Sequence, residues 1–171
     1  MSSILNPMKV IERGCILNAN PDNIQPNSVD LTVDKVFTMS GTLVLYRDST
    51  ERKLPDYTPL RTFTYEGFEM YKLEPGQRYQ IEFKEQLSLP NDICALTLVR
   101  SSMAKSGCTG ENGLFDSGYQ GGTGMMVSVQ DESYIQVGAS IAQMIFFETE
   151  SSRPYNGYYQ NTKSPLEWNN G

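Results

Sequence analysis

The 171-residue sequence contains no histidine, and that one absence removes several reaction types. Serine–histidine triads, histidine-ligated zinc and histidine general bases are all excluded. Cysteine is scarce as well. Cys15, Cys94 and Cys108 are odd in number, far apart and free of any CxxC spacing, so they read as reduced thiols rather than a disulfide framework. No stretch approaches the ~20 apolar residues of a membrane span, and the first residues lack the basic segment and apolar run of an export signal. A cytoplasmic chain with no membrane partner is expected. Positive charge is in the minority: 14 Lys and Arg stand against 20 Asp and Glu, for a net charge of −6. Without a basic face, no nucleic-acid partner is expected. An anionic ligand would have to be held locally, by backbone N–H groups, a few placed cations and a divalent metal.

What is present suffices for a core. Hydrophobic residues make up 39% of the chain and charged residues 20%, near ordinary globular values, and the length predicts a single domain over residues 1–171. Residues 8–14 predict a short helix stopped by Gly14. Beyond Pro26, residues 28–33 alternate small or polar with apolar side chains, as a half-buried strand does. Further short runs of this kind cover 41–46, 67–73, 79–83, 93–99, 125–129, 134–137 and 141–147. Pro55, Pro59, Pro75-Gly76, Pro90-Asn91-Asp92 and the Gly-rich stretch 107–124 punctuate them. Many short strands between turns predict a mostly β sandwich or jelly-roll-like barrel. The tail, residues 150–171, is polar and aromatic without helical period. It is either a loose end or an arm that orders on a ligand or a neighbouring subunit.

Four segments carry a more specific pattern. They are Ile24-Gln25-Pro26-Asn27-Ser28-Val29-Asp30-Leu31, then Arg100-Ser101-Ser102-Met103-Ala104-Lys105-Ser106-Gly107 after Leu89-Pro90-Asn91-Asp92, then Gly113-Leu114-Phe115-Asp116-Ser117-Gly118-Tyr119-Gln120-Gly121, and finally Gly138-Ala139-Ser140-Ile141-Ala142-Gln143-Met144-Ile145-Phe146. In this order they resemble the motifs of the trimeric dUTP diphosphatase and dCTP deaminase superfamily. The first segment and the tail Tyr155-Asn156-Gly157-Tyr158-Tyr159-Gln160 are closest to the deaminase branch. The resemblance implies a distorted jelly-roll or β-barrel of the dUTPase-like (β-clip) type with a short N-terminal helix. It also implies a deoxynucleoside triphosphate ligand (dUTP or dCTP), Mg2+, and a homotrimer whose sites lie between subunits.

Read by their chemistry, Arg100, Ser101 and Ser102 end a strand where successive amides, two hydroxyls and a guanidinium suit phosphate oxygens. Lys105 is the next candidate cation. Gln143 lies in an apolar strand, where an amide is out of place unless its hydrogen bonds are met. Asp116 precedes a Ser-Gly turn and reads on its own as a turn cap. The resemblance makes it the base that deprotonates the attacking water, with Gly113, Leu114 and Tyr119 around sugar and base. Tyr119 reads equally as a core aromatic. Asp30 reads as a metal or subunit-junction residue, or as a structural strand end. Tyr159, Gln160 and Lys163 are the candidate ligand contacts of the arm.

Attack on the base itself is disfavoured. Deaminases of the resembled family use a Glu on the strand after the Asp-containing turn, and their spacing reaches Met126 here, whose thioether accepts no proton. Glu111 is the nearby alternative, upstream in the hairpin. Ser140 and Thr162 stand where the family carries Arg and Gln, and the stretch from Arg100 to Asp116 is about two residues short by motif register. The leading expectation is a dUTP diphosphatase giving dUMP and diphosphate. The alternatives are a dCTP deaminase, alone or bifunctional, and a nucleotide-binding protein without turnover.

Overall fold

The computed structural model describes residues 4–47, 52–111, 113–151 and 153–167. Helix α1 (Pro7–Glu12) opens the fold. Asn6 accepts the Met8 amide at 2.9 Å, Pro7 fills the first turn, where its missing N–H costs nothing, and Val10 is buried. The left-handed φ of Gly14 (68°) then turns the chain outward, as expected from its place.

The rest is strand. Among the described residues these are β1 (Ile16–Leu17), β2 (Val29–Ser40), β3 (Val44–Leu45), β4 (Arg52–Lys53), β5 (Asp56–Pro59), β6 (Phe63–Tyr65), β7 (Phe68–Leu73), β8 (Arg78–Ser88), β9 (Ile93–Val99), β10 (Cys108–Glu111), β11 (Leu114–Phe115), β12 (Gln120–Val129), β13 (Ser133–Gln136) and β14 (Ser140–Glu148). The principal sheet runs β10-β12-β8-β2-β14-β9-β11, with β1 against β8 and β5 against β2. A three-stranded sheet, β13-β7-β6, and the β3–β4 pair complete the strands. The fold is mostly β, a curled jelly-roll-type sheet with two short helices.

The curl follows from β2. Its first residues, Val29 to Thr32, pair with β14, and its later ones, Val33 to Thr38, pair with β8. Register shifts fall between Val33 and Lys35 and between Ser140 and Ala142, so bulges bend the strand from one half of the sheet to the other. The bend leaves a gap in the ladder at Thr32. A buried carboxylate fills it: Glu85 Oε2 accepts the Thr32 amide at 2.8 Å, while the Thr123 hydroxyl donates to the Glu85 carbonyl. Inside the curl, alternate residues of four strands meet, among them Ile81 and Phe83, Ile93 and Ala95, Met125 and Val127, and Met144 and Phe146. Each large apolar side chain so buried contributes about 1.5–3 kcal/mol.

Two local expectations change. The strand expected at 41–46 shrinks to Val44–Leu45, because its partner strand is only two residues long. Residues 101–105, read as a turn, form a five-residue helix, α2 (Ser101–Lys105), that starts as soon as β9 ends.

Candidate functional site

Asp30, Arg100 and Gln143 come together because β2, β14 and β9 are neighbours. Asp30 stands opposite Gln143, and Gln143 opposite Leu98, two residues before Arg100. Arg100 Nη1 lies 3.4 Å from Asp30 Oδ2 and donates to the Ser140 carbonyl at 3.1 Å. Gln25 Nε2 donates to the same Asp30 oxygen at 3.2 Å, and the Ser28 hydroxyl approaches Gln143 Oε1 at 3.4 Å. These residues, with Pro26, Asn27 and Ser101, line an open cleft of about 350 Å³. Ser101 supplies an amide of the first turn of α2, where N–H groups have no carbonyl one turn back. Ser102 and Lys105 lie on the exposed side of α2, outside the cleft lining.

Burial pushes the Asp30 carboxyl above the usual carboxylate range, and the Arg100 charge and Gln25 hydrogen bond pull it partly back. Asp30 is 3% exposed and already engaged by Arg100 and Gln25. It does not fit a metal-ligand role without surrendering that pairing. Among the described residues no group of three or more Cys, Asp or Glu side chains is gathered to hold an ion.

The second half of the site forms at the turn between β11 and β12. The Asp116 carbonyl accepts the Tyr119 amide at 3.1 Å, and Gly118 takes φ 82°. The turn is thus closed by backbone, not by the Asp116 side chain, whose carboxylate is exposed and makes no hydrogen bond or ion pair with a described residue. That free carboxylate enters a cavity of about 290 Å³ with Gly113, Leu114, Tyr119, Tyr155 and Tyr159. It is the one carboxylate among the described lining residues. Tyr119 is buried, its hydroxyl donating to the Gly122 carbonyl at 2.8 Å and its ring packed on Phe115 and Tyr155. Burial raises its phenol to about 12, so only the ring serves the cavity. Met126 and Glu111 are cross-strand partners, and neither lines the cavity; Gly124 is the β12 residue that does.

Residues 153–167 lie against their own chain. Tyr155 N donates to the Ser117 carbonyl, Asn161 N to the Gln120 carbonyl, and Gly122 N to the Thr162 carbonyl, all at 2.7–2.9 Å. The Gln160 side chain is spent on the same docking, accepting from Gln120 N and donating to the Gly118 carbonyl. Tyr159 lines the cavity, and Lys163 is exposed. Sequence reasoning did not single out Gln25, Ser28, Tyr155 or Pro165. The first two sit inside the Ile24–Leu31 segment and Tyr155 opens the tail motif, with Pro165 beyond it, so the segments were legible although these residues were not given a role.

Cleft and cavity are far apart in one chain. Phe115 pairs with Ala95 near the start of β9, and Arg100 follows its end. Five residues of extended strand separate them, roughly 17 Å at 3.2–3.4 Å per residue. A base must lie within hydrogen-bond reach, or one water, of the proton it takes. Asp116 therefore cannot serve a phosphate seated on Arg100 of the same chain.

The chain has relatives among known proteins. Residues 4–149 match the model of the dCTP deaminase-like family. A probable deoxyuridine 5'-triphosphate nucleotidohydrolase of Methanosarcina mazei is 33% identical over 142 residues, 81% of each chain. The deoxyuridine 5'-triphosphate nucleotidohydrolase of Methanocaldococcus jannaschii is 30% identical over 84% of this chain and 90% of its own. The 2'-deoxycytidine 5'-triphosphate deaminase of Agrobacterium tumefaciens shares the fold, with a TM-score of 0.63 at 18% identity over 86% of this chain. This chain covers 48% of that deaminase chain, about half its length.

Proposed function

Because the chain belongs to the dCTP deaminase-like family, we propose that it is a cytoplasmic dUTP diphosphatase, a hydrolase that splits dUTP into dUMP and diphosphate. The observation that carries the reading is the Asp116 carboxylate, which pairs with no described residue and is the one carboxylate among the described residues lining a cavity walled by tyrosines and by Gly113 and Leu114. Asp116 accepts a proton from water, the water oxygen attacks the α-phosphorus, the bond to the bridging oxygen breaks, and diphosphate leaves. A positioned carboxylate does this work when nothing else competes for its lone pairs. The cleft of Arg100, Ser101 and Gln143 holds phosphate oxygens, Ser102 and Lys105 add donors from the exposed side of α2, and Tyr119 packs against the deoxyribose. Magnesium brought by the triphosphate would supply charge neutralisation on the phosphates, with no ligand required from Asp30.

The separation of roughly 17 Å along β9 favours a homotrimer. In that assembly the phosphate cleft of one chain faces the Asp116 cavity of a neighbour, and Tyr159 and Lys163 close over the ligand while Gln160 anchors the arm that carries them. The direct test is the Asp116→Asn variant. Binding of a non-hydrolysable dUTP analogue is expected to persist, while diphosphate release falls about 10²- to 10⁴-fold. Undiminished turnover would remove Asp116 from the mechanism. The unmodified protein is expected to release no ammonia from dCTP, because no second carboxylate lines the cavity among the described residues; brisk ammonia release would favour the deaminase reading and implicate Glu111.

A further inference from the structure

Glu82 belongs to none of the machinery above, yet it is a carboxylate only 5% exposed. It sits on β8 directly opposite Gly124, so it shares a sheet face with Gly124 and, two residues on, Met126. By its alternation, Gln80-Glu82-Lys84 is the solvent side of the strand. What covers it is the tail. The Ser164 hydroxyl donates to Glu82 Oε1 and itself accepts the Leu166 amide at 3.1 Å, while Lys35 Nζ lies 3.7 Å from Glu82 Oε2.

The tail reaches this position only because β12 presents glycine to it. A Cβ at Gly122 would fall 2.5 Å from the Lys163 carbonyl oxygen, and one at Gly124 would fall 2.6 Å from the Ile81 carbonyl oxygen of β8 and 2.8 Å from Pro165 Cγ. A parallel bridge between Gly121 and Thr162 extends the seat. Pro165, Tyr159 and Tyr155 then become the wall of the Asp116 cavity. With the tail down, Glu82 is desolvated and depends on the Ser164 hydroxyl, because a buried charge is tolerated only when paired and hydrogen-bonded. Without that hydroxyl the docked tail loses its hydrogen bond to Glu82, which shifts the balance toward a lifted tail with Glu82 in water beside Lys35.

We propose that Glu82 and Ser164 form a latch that holds residues 162–165 on the glycine track of β12, making Glu82 a positioning residue that acts on the ligand through the cavity wall. The latch stands on the contacts alone; only its effect on nucleotide rests on the diphosphatase reading. Lys163 is the sole Lys or Arg in residues 154–171, so trypsin cutting after it reports a lifted tail. The full-length protein and its E82Q, E82A, S164A and G122A variants are digested briefly, cleavage is followed by mass spectrometry, and circular dichroism checks that each core stays folded. E82A and S164A are expected to be cut about ten- to a hundredfold faster, the range set by losing a hydrogen bond to a charged group when the open form is in rapid equilibrium. G122A, which pushes the Lys163 carbonyl off the strand, is expected to behave likewise. E82Q keeps an acceptor for Ser164 and is expected to stay near the unmodified rate. With dUTP, the fast-cut variants are expected to show a raised KM and little change in kcat. Equal cutting of all five proteins, or E82Q cut as fast as E82A, would overturn the latch. If the cutting order holds while no protein turns over dUTP, the latch stands and the diphosphatase reading falls.

Discussion

Replacing Arg100 by alanine perturbs two things at once, and the structure allows them to be separated. Arg100 is a cleft residue, but it is also the counter-ion of Asp30 at 3.4 Å. An exposed ion pair is worth about 0–1 kcal/mol, and breaking a buried one by removing a single partner costs about 3–5 kcal/mol. Here the two side chains are 39% and 4% exposed, so the expected loss lies between, about 2 kcal/mol. For a chain of this length that is about 4–8 °C in Tm, or about 1 M in urea midpoint. The loss is mostly the cost of stranding Asp30, so Asp30→Asn in the same chain is expected to recover about 1–2 kcal/mol of it. Ligand binding follows a different rule. Both Arg100→Ala and the double variant are expected to lose about 1.5–3 kcal/mol of affinity for a dUTP analogue, about 10- to 150-fold. Urea unfolding by circular dichroism at one protein concentration, with calorimetric titration of the analogue, gives both columns of the cycle. A double variant as unstable as Arg100→Ala would refute the stranded-carboxylate argument. Unchanged affinity in both would remove Arg100 from phosphate binding.

Two further outcomes follow from buried carboxylates. Carbon-13 NMR of the Asp30 carboxyl is expected to show titration above the usual Asp range, and Arg100→Ala is expected to raise it further, because the guanidinium is the larger of the two influences, with the Gln25 hydrogen bond, that pull it down. The native state then holds that proton to higher pH than the unfolded chain, so this group's contribution to stability falls as pH rises from about 3.9 through the raised value; Asp30→Asn is expected to flatten that slope, and an unchanged slope would exclude Asp30 as its source. Glu85→Ala leaves the Thr32 amide buried without its acceptor. The expected cost is about 2–4 kcal/mol, with faster hydrogen exchange at Thr32, and protection as strong as in the unmodified protein would show that another group fills the gap.

The strands that could be read from sequence are those whose alternation answers to one partner on each side. β9 was legible residue for residue, and β7 and β14 to within one, because their inward side chains meet a single core. Helix α2 was hidden because five residues, Ser-Ser-Met-Ala-Lys, are too few to show a 3.6-residue period. The first half of β12 was hidden for a different reason. Gln120 to Gly124 has three glycines, and glycine ordinarily argues for a turn, whereas here it records the close approach of the tail. The site residues divide in the same way. Gln143 was singled out because an amide is out of keeping with an apolar strand, whereas Asp116 and Arg100 were singled out by the motifs around them. Their grouping into two distant halves was not legible, since it depends on which end of β9 each one meets.

The tail shows how one unread contact changes several readings. Gly122 and Gly124 on β12 and Glu82 on β8 each have a plain local explanation, loop-like glycine and a solvent-facing charge. Taken together on one sheet face they describe a surface with space and with one acceptor. Residues 162–165 supply the matching backbone and one donor, Ser164. A side chain on β12 could not coexist with that docking, so at Gly124 the strand contributes only backbone to the cavity and leaves the wall to Tyr155, Tyr159 and Pro165. Met126 shares that face of β12 with Gly124, so the position where the resembled deaminases carry their Glu lies on the same side of the strand as the seat of the tail; under the proposed diphosphatase reading, Asp116 is the carboxylate left to the cavity.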